Sequence, residues 1–524
     1  MNNPSGKGFL PCDGPHEGAD PPPPDPPHTC ATSGYIQSYE MTPHEQNTVL
    51  LASNRGPVTF TLAEDGELIV RRGGGGLVSG LSNVAAGADA PPGMLWICSA
   101  LSDGDRRAVR LSPGGRVDRS GYETGPLRML DIPPATFHRA YNAIANSTLW
   151  FVHHLLYNTP NSPRFDGLFR REWESYRAYN ETFAAALAEE AAPGARVMVQ
   201  DYHLTLVPGM LRATRPDLRV SHFSHTPWAP PDYFSLLPGD IGAEVLSGVL
   251  GADHAGFLAE RWASAFMDCC ESQLGAKVDR ACRTVTHDGR TTRVGVHPLG
   301  VDGHELWVRA SEPDVESHVA ALRAQTGDRQ VIVRIDRTEL SKNIVRGLMA
   351  YREFLAGHPE WHGRVVHLAF AYPSRHDLPE YREYTAAVQR YAKEIEDEFG
   401  TDDWDPLVLN VDDDYARSLA AYRIADVLLV NPIRDGMNLV AKEGPILSPR
   451  AALVLSREAG AAAELGGDAL LVNPYDVSGT ADALHAALVM PEAERMARAV
   501  RLSAAATALP PRKWFADQLT ALSG

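Results

Sequence analysis

Arg434-Asp-Gly-Met-Asn-Leu-Val-Ala-Lys-Glu443 follows the apolar run Val427-Leu-Leu-Val430 across an Asn-Pro step. Four apolar residues bounded by turn formers read as a buried strand, and the glycine behind them turns the chain. From Met437 the sequence can wind as a helix. The first amides of a helix have no internal partner and carry the positive end of its dipole, so this start attracts an anion. Asp435 stands at the turn and Glu443 lies about two helical turns past Met437, where carboxylates can grip the sugar parts of a bound molecule. The stretch therefore reads as a strand, turn and helix of an α/β sheet carrying a nucleotide-sugar site. The rest of the chain must supply a second substrate and cationic groups.

At 524 residues the chain is too long for one hydrophobic core, so two large domains are expected. Hydrophobic residues at 44% and charged residues at 22% describe an ordinary globular protein. The formal charge of -17 argues against nucleic acid as a general partner and requires dedicated arginines and lysines for any anionic substrate. Cys12, Cys30, Cys98, Cys269, Cys270 and Cys282 show no C-x-x-C spacing, which suits a reducing compartment with neither a disulfide framework nor a zinc site. No stretch approaches 18 apolar residues, and the N-terminus lacks a basic region followed by a hydrophobic run. The expectation is a soluble cytoplasmic protein with no membrane partner.

Working outward from residues 434–443, apolar runs recur at 330–335, 364–369, 407–411, 452–455 and 469–472, with helical stretches between them. That alternation predicts a doubly wound parallel sheet over 327–505. Its first strand breaks into Asp336-Arg-Thr-Glu-Leu-Ser-Lys-Asn343, which places Arg337 and Lys342 at the head of a helix over 343–355. Two cations and a helix dipole then aim at one point. The segment 506–524, with Trp514 and Phe515, reads as a helix packing back on the N-terminal domain.

Residues 1–46 are rich in Gly, Pro and His around Pro21-Pro-Pro-Pro-Asp-Pro-Pro27 and read as a disordered tail. The N-terminal domain, 47–326, opens with the strand Thr48–Ala52. Arg55 lies just past its end, where open α/β sheets bind ligands. The four glycines at 73–76 allow close backbone approach to a phosphate or form a hairpin loop, and the residues leave both open. Met94–Cys98 reads as a buried strand and 137–157 as a helix whose Tyr141 and Trp150 suit a core. A strand over 196–203 ends in Asp201 and His203, one over 220–225 ends in His225, and a helix joins them as a βαβ unit. Two neighbouring strand ends presenting a carboxylate and an imidazole favour a site. Further strands are expected at 252–257 and 295–302.

Two such domains facing each other across a cleft of strand ends are the plan of the GT-B glycosyltransferases. Residues 434–443, Asp201-Tyr-His203, Arg337-x-x-x-Ser-Lys342 and Asn473-Pro-Tyr-Asp476 together resemble the retaining trehalose-6-phosphate synthases, over residues 48 to about 522. The resemblance implies metal-independent, cofactor-free transfer of glucose from a nucleoside diphosphate glucose to C1 of glucose 6-phosphate. It places Arg337 and Lys342 on the donor diphosphate and His225 beside the donor sugar. Gly76 and the backbone at Gly436, Met437, Asn438 and Leu439 join the diphosphate cradle, Asp435 meets the glucose hydroxyls and Glu443 the ribose. On the acceptor side it places Arg55, Tyr141, Trp150 and Arg375 at the phosphate, displacing the core reading of the two aromatics. Asp201 falls at the reacting end of the acceptor. Retention fits attack on the face of departure, with a leaving phosphate oxygen taking the acceptor proton and no protein nucleophile.

The chain departs from relatives at Thr338-Glu-Leu340, at Ile97-Cys98 where a second Trp is absent, and in the loop expected over the donor base. There Asp413, within Asp412-Asp-Asp414, replaces an aromatic residue. A carboxylate can accept the paired N–H groups of guanine, whereas uracil offers one N–H flanked by carbonyls. GDP-glucose is therefore expected over UDP-glucose, against the reading of these aspartates as a solvated turn or helix cap. A metal-binding D-x-D is set aside because Arg337 and Lys342 supply the cations. The alternatives are a different phosphorylated acceptor, a pseudo-glycosyltransferase, and a non-catalytic sugar-phosphate sensor, which would be expected to lose the diphosphate cations. The residues leave a homo-oligomer open.

Overall fold

The computed structural model describes residues 47–63, 65–73, 91–375 and 377–523. The 1–46 tail and Gly76 lie outside them. The described residues form one compact unit built on a mixed sheet and a parallel sheet.

The first sheet contains β1 (Asn47–Ser53), β4 (Met94–Ser99), β5 (Leu127–Leu130), β6 (Ala191–Gln200), β7 (Arg219–Ser224), β8 (His254–Phe257), β9 (Lys277–Asp279), β10 (Thr284–His287) and β11 (Arg290–Val296). A separate hairpin, β2 (Val58–Leu62) and β3 (Leu68–Arg72), follows β1. The sheet order is β5-β4-β1-β6-β7-β8-β11-β10-β9, parallel up to β11 and antiparallel beyond it. The hairpin and the β9–β10 edge escape the sequence reading because they are short and partly exposed, and β5 because it has only four residues. The strand expected over 295–302 ends at Val296 instead.

The second sheet is wholly parallel. It contains β12 (Gln330–Arg337), β13 (Val365–Tyr372), β14 (Leu407–Asn410), β15 (Val427–Val430), β16 (Ala452–Ser456) and β17 (Leu470–Val472), in the order β14-β13-β12-β15-β16-β17. All eight residues of β13 are buried, which is why it reads as a continuous apolar run rather than an alternating one. The sequence in which strands are added switches side between β12 and β15, and in the first sheet between β1 and β6, while the strands stay parallel. Open α/β sheets bind ligands at such switch points, beyond the carboxyl ends of the strands. Arg55, Asp201, Arg337 and the 434–443 stretch all follow these four strands.

Five helices are used below: α1 (Glu260–Leu274), α2 (Ile344–Gly357), α3 (Val440–Leu447), α4 (Val477–Val489) and α5 (Pro511–Ala521). Trp514 on α5 donates from Nε1 to the His297 carbonyl at 3.0 Å and meets Phe223 edge to face, so this helix packs on the end of the first sheet. No helix among the described residues is long and apolar enough to cross a membrane.

Candidate active site

The donor-side stretch differs from its expected form at the helix start. α3 begins at Val440, three residues late, because Asn438 takes a left-handed backbone (φ 76°) and its Oδ1 accepts from the Ala441 amide at 3.1 Å. That side chain fills the place of the first turn. The amides of Met437, Asn438, Leu439 and Val440 make no hydrogen bond among the described residues, so a row of free donors is present but belongs to the loop.

Asp435 and Lys342 are paired, Nζ to Oδ2 at 2.7 Å, each 16% exposed. Burial lowers the Lys342 pKa, but the charges of Asp435, Asp336 and Glu339 prevail and hold the ammonium above its ordinary value. Arg337 is half in solvent at the end of β12 and reaches Glu339 at 3.2 Å. Glu443 is desolvated beside the Tyr422 hydroxyl, 3.5 Å away, and burial pushes its carboxyl up to about 7.

Gly436 abuts the end of β7. A Cβ built there would lie 1.8 Å from the His225 carbonyl oxygen, so the donor loop touches the first sheet backbone to backbone. The Gly436 carbonyl accepts from Trp262 Nε1 on α1 at 2.9 Å. Lys442 is buried and donates to the Leu299 carbonyl at 2.8 Å and to Glu464 at 2.6 Å. Arg434 donates to the Trp228 carbonyl at 2.9 Å. The stretch is thus a seam between the two sheets.

On the facing wall, Asp201 is held at φ 73°, and its Oδ1 accepts from the His225 amide at 3.1 Å. Burial raises its pKa to about 6. Left-handed backbone at a non-glycine residue is strained, and such strain collects at functional strand ends. His225 shares a hydrogen bond with Gln200 Oε1 at 2.9 Å, and burial drops its pKa to about 3, so the ring is neutral.

Arg375, also left-handed at φ 48°, crosses from the second sheet. It donates to Tyr381 at 2.6 Å and Tyr202 at 3.4 Å and lies 4.3 Å over the Trp150 ring. Burial raises the Tyr141 pKa, yet Arg55 and Arg375 outweigh it and pull the hydroxyl below the ordinary phenol range. Arg55, Tyr141, Trp150 and Arg375 therefore converge. The winding explains how the two aromatics do so. Residues 139–149 form a π-helix between short α-helical ends, Pro134–His138 and Trp150–His154. Nine residues of α-helix put side chains on opposite faces, whereas at the wider i→i+5 pitch nine residues make roughly two turns. Trp150 Nε1 is buried there without a partner.

One residue of this site was not singled out from sequence. Glu339 is fully buried, accepts from Ser374 at 3.0 Å, and leaves Oε2 without a partner. Burial alone would raise its pKa, but Arg337, Arg375 and Lys342 bring it down to about 2. It is an ionised carboxylate between the cations of the two subsites. A glutamate in a charged loop looks solvated in sequence, whereas here it is enclosed by the fold and bonded to Ser374.

Asp413, which the donor-base argument invoked, makes no hydrogen bond or ion pair among the described residues. It is exposed on the turn after β14. Asp414 caps the helix Tyr415–Ile424 through the Arg417 amide at 3.0 Å, and the Asp412 amide bonds Asn410 Oδ1 at 2.9 Å. The three aspartates are a solvated turn and a cap.

A family model described as glycosyltransferase family 20 matches residues 47–523. The bifunctional trehalose-6-phosphate synthase/phosphatase of Thermoproteus tenax is 34% identical over 86% of this chain, which spans 60% of that relative's length. The UDP-forming α,α-trehalose-phosphate synthase of Schizosaccharomyces pombe is 31% identical, covering 89% of this chain and 88% of its own. A trehalose-6-phosphate protein of E. coli solved with UDP-2-fluoro glucose superposes with a TM-score of 0.78 at 27% identity, covering 90% and 98%. The UDP in the names of these two relatives, together with the exposed Asp413, overturns the expected preference for GDP-glucose. On the match over nearly all of its described length, this chain belongs to glycosyltransferase family 20 and is a retaining glycosyltransferase of GT-B fold.

Proposed function

We propose that this protein is an α,α-trehalose-6-phosphate synthase that transfers glucose from UDP-glucose to glucose 6-phosphate. The observation that carries this reading is the pair of cation clusters facing each other across one cleft. Lys342 and Arg337 stand beside the free amides of 437–440, Arg375 lies over Trp150 near Arg55 and Tyr141, and Glu339 separates the two groups. Two clusters suit two phosphorylated substrates, and the supply of protein cations removes the need for a metal. Named relatives that form UDP support the nucleotide.

In this reading Lys342 and Arg337 take the diphosphate, and Asp435 turns from Lys342 to the glucose hydroxyls. Glu443 accepts from the ribose, and His225, neutral, lines the glucose. The Arg55, Tyr141, Trp150 and Arg375 group holds the acceptor phosphate, with Trp150 Nε1 gaining its missing partner, and Asp201 accepts from the acceptor's hydroxyls. The bond from glucose C1 to the phosphate oxygen breaks and a bond from C1 to the acceptor oxygen forms on the same face. The acceptor proton passes to the departing phosphate oxygen.

The test is UDP release from UDP-glucose with and without glucose 6-phosphate. Release that depends on the acceptor, and is faster than GDP release at equal concentration of GDP-glucose, is the expected result. No acceptor-dependent release from either donor overturns the synthase reading.

A pH dependence follows from Glu443. Burial pushes its carboxyl up to about 7, and the ionised form is the stronger acceptor for the ribose hydroxyls. The KM for UDP-glucose is expected to fall as pH rises from 6 to 8. Glu443→Gln should raise KM and flatten that slope, and a slope unchanged in the variant removes Glu443 from the ribose.

A further inference from the structure

Away from the cleft, two packed helices bring three metal-ligating side chains together. α2 ends at Gly357, His358 follows it, and Glu360 lies in the short 3-10 turn Pro359–Trp361. His485 is on α4, which packs along α2. One ligand atom from each of the three lies within 4.8 Å of the other two. His358 Nδ1 is 3.0 Å from Glu360 Oε1, and the two imidazole centroids are 3.8 Å apart at 31°.

The donor set is two imidazole nitrogens and one carboxylate oxygen. On a tetrahedral zinc ion with bonds near 2.0–2.1 Å, ligand atoms stand roughly 3.4 Å from one another. The His358–Glu360 edge is already that short, and the other edges, at most 4.8 Å, close by up to ~1.4 Å of side-chain rotation. Glu360 is 56% exposed and His358 29%, which leaves an entry path and room for water. His485 is framed by Phe354 and Trp361, whose centroids lie 6.2 and 6.5 Å from its own. The neighbouring cation, Arg364, is drawn over the Trp361 ring at 5.1 Å and so kept off the ligand atoms.

We propose that His358, Glu360 and His485 bind a divalent transition ion of the zinc class, with water completing the shell. Mg²⁺ and Ca²⁺ prefer six or more oxygens and do not match this set. The ion joins the far ends of two helices whose near ends are already tied. Asn343, at the head of α2, donates to the Asn431 carbonyl at 3.0 Å and to the Pro474 carbonyl, just before α4, at 2.7 Å. Binding therefore stabilises the helix pair that carries Lys342 at its head, without an ion in the cleft.

The test is calorimetric titration of tag-free, chelator-treated full-length protein with zinc chloride alone, comparing wild type with His485→Ala. The chain has 19 histidines and Cys282 is exposed, so the difference between the two proteins is what is read. Wild type is expected to bind one more zinc per chain than the variant, or to bind it at least ~10-fold more tightly. Zinc should raise the Tm of wild type alone, Mg²⁺ should raise neither, and acceptor-dependent UDP release should be unchanged in the variant. Equal zinc stoichiometry, affinity and Tm shift in both proteins overturns the site. If His485→Ala does not fold, the partly exposed His358→Ala gives the same reading, and an unaltered zinc response there overturns it.

Discussion

Replacing Lys342 by alanine is expected to lower kcat for acceptor-dependent UDP release by roughly 10²–10³-fold, as loss of a preorganised charge stabiliser does elsewhere. The leaving diphosphate gains negative charge as the glucosyl bond breaks, and Lys342 is a protonated, nearly buried ammonium at that point. Its removal acts twice. It deletes the attraction to the leaving group, and it leaves Asp435, held by Lys342 at 2.7 Å, as an uncompensated carboxylate facing an anion. Lys342→Met keeps the stem and separates charge from packing, and it should lose nearly as much. The KM for glucose 6-phosphate should hardly move, because Arg375 and Trp150 form a separate cluster. Steady-state kinetics in both substrates, with Tm as a check on folding, measures this, and a loss in kcat below tenfold would remove Lys342 from the reacting centre.

Gly436→Ala should cost at least ~10²-fold in activity together with a lowered Tm, although it adds only a methyl group. The new Cβ would lie 1.8 Å from the His225 carbonyl oxygen and 2.8 Å from its carbon, both backbone atoms. No flexible side chain can yield, so the donor loop and the end of β7 must part by more than an ångström. Displacements of that size at a reacting centre are worth about 10² in rate. The opposite side is closed too, since a Cβ at Gly460 would meet the Gly436 carbonyl oxygen at 1.8 Å. A variant with lowered Tm but unchanged kcat would show that the loop and His225 need not touch during turnover.

Much of this architecture was legible in the chain. The buried parallel strands β12, β13, β15 and β16 are continuous apolar runs, and a strand packed on both faces has little choice of composition. The edge elements were not legible, because β5 has only four residues and the β2–β3 hairpin is short and half-solvated. The family-specific strings pointed to the family that the chain belongs to, but Glu339 was passed over, and the base-reading role given to Asp413 led to a GDP preference that the UDP-forming relatives overturn. A capping aspartate and a ligand-reading aspartate have the same local sequence, and only burial distinguishes them.

The sequence by itself determined the α/β class and the cations beyond β12 and the carboxylates beyond β6 and β15, because strand period and turn chemistry are local. Tertiary structure alone decided which of these groups share a cleft. It brought Arg375 across to Tyr202 and Trp150, beside the π-helix of residues 139–149, and buried Glu339. Arg375 meets Tyr202 across 173 positions of the chain, and the energy of such a contact does not appear in any local stretch.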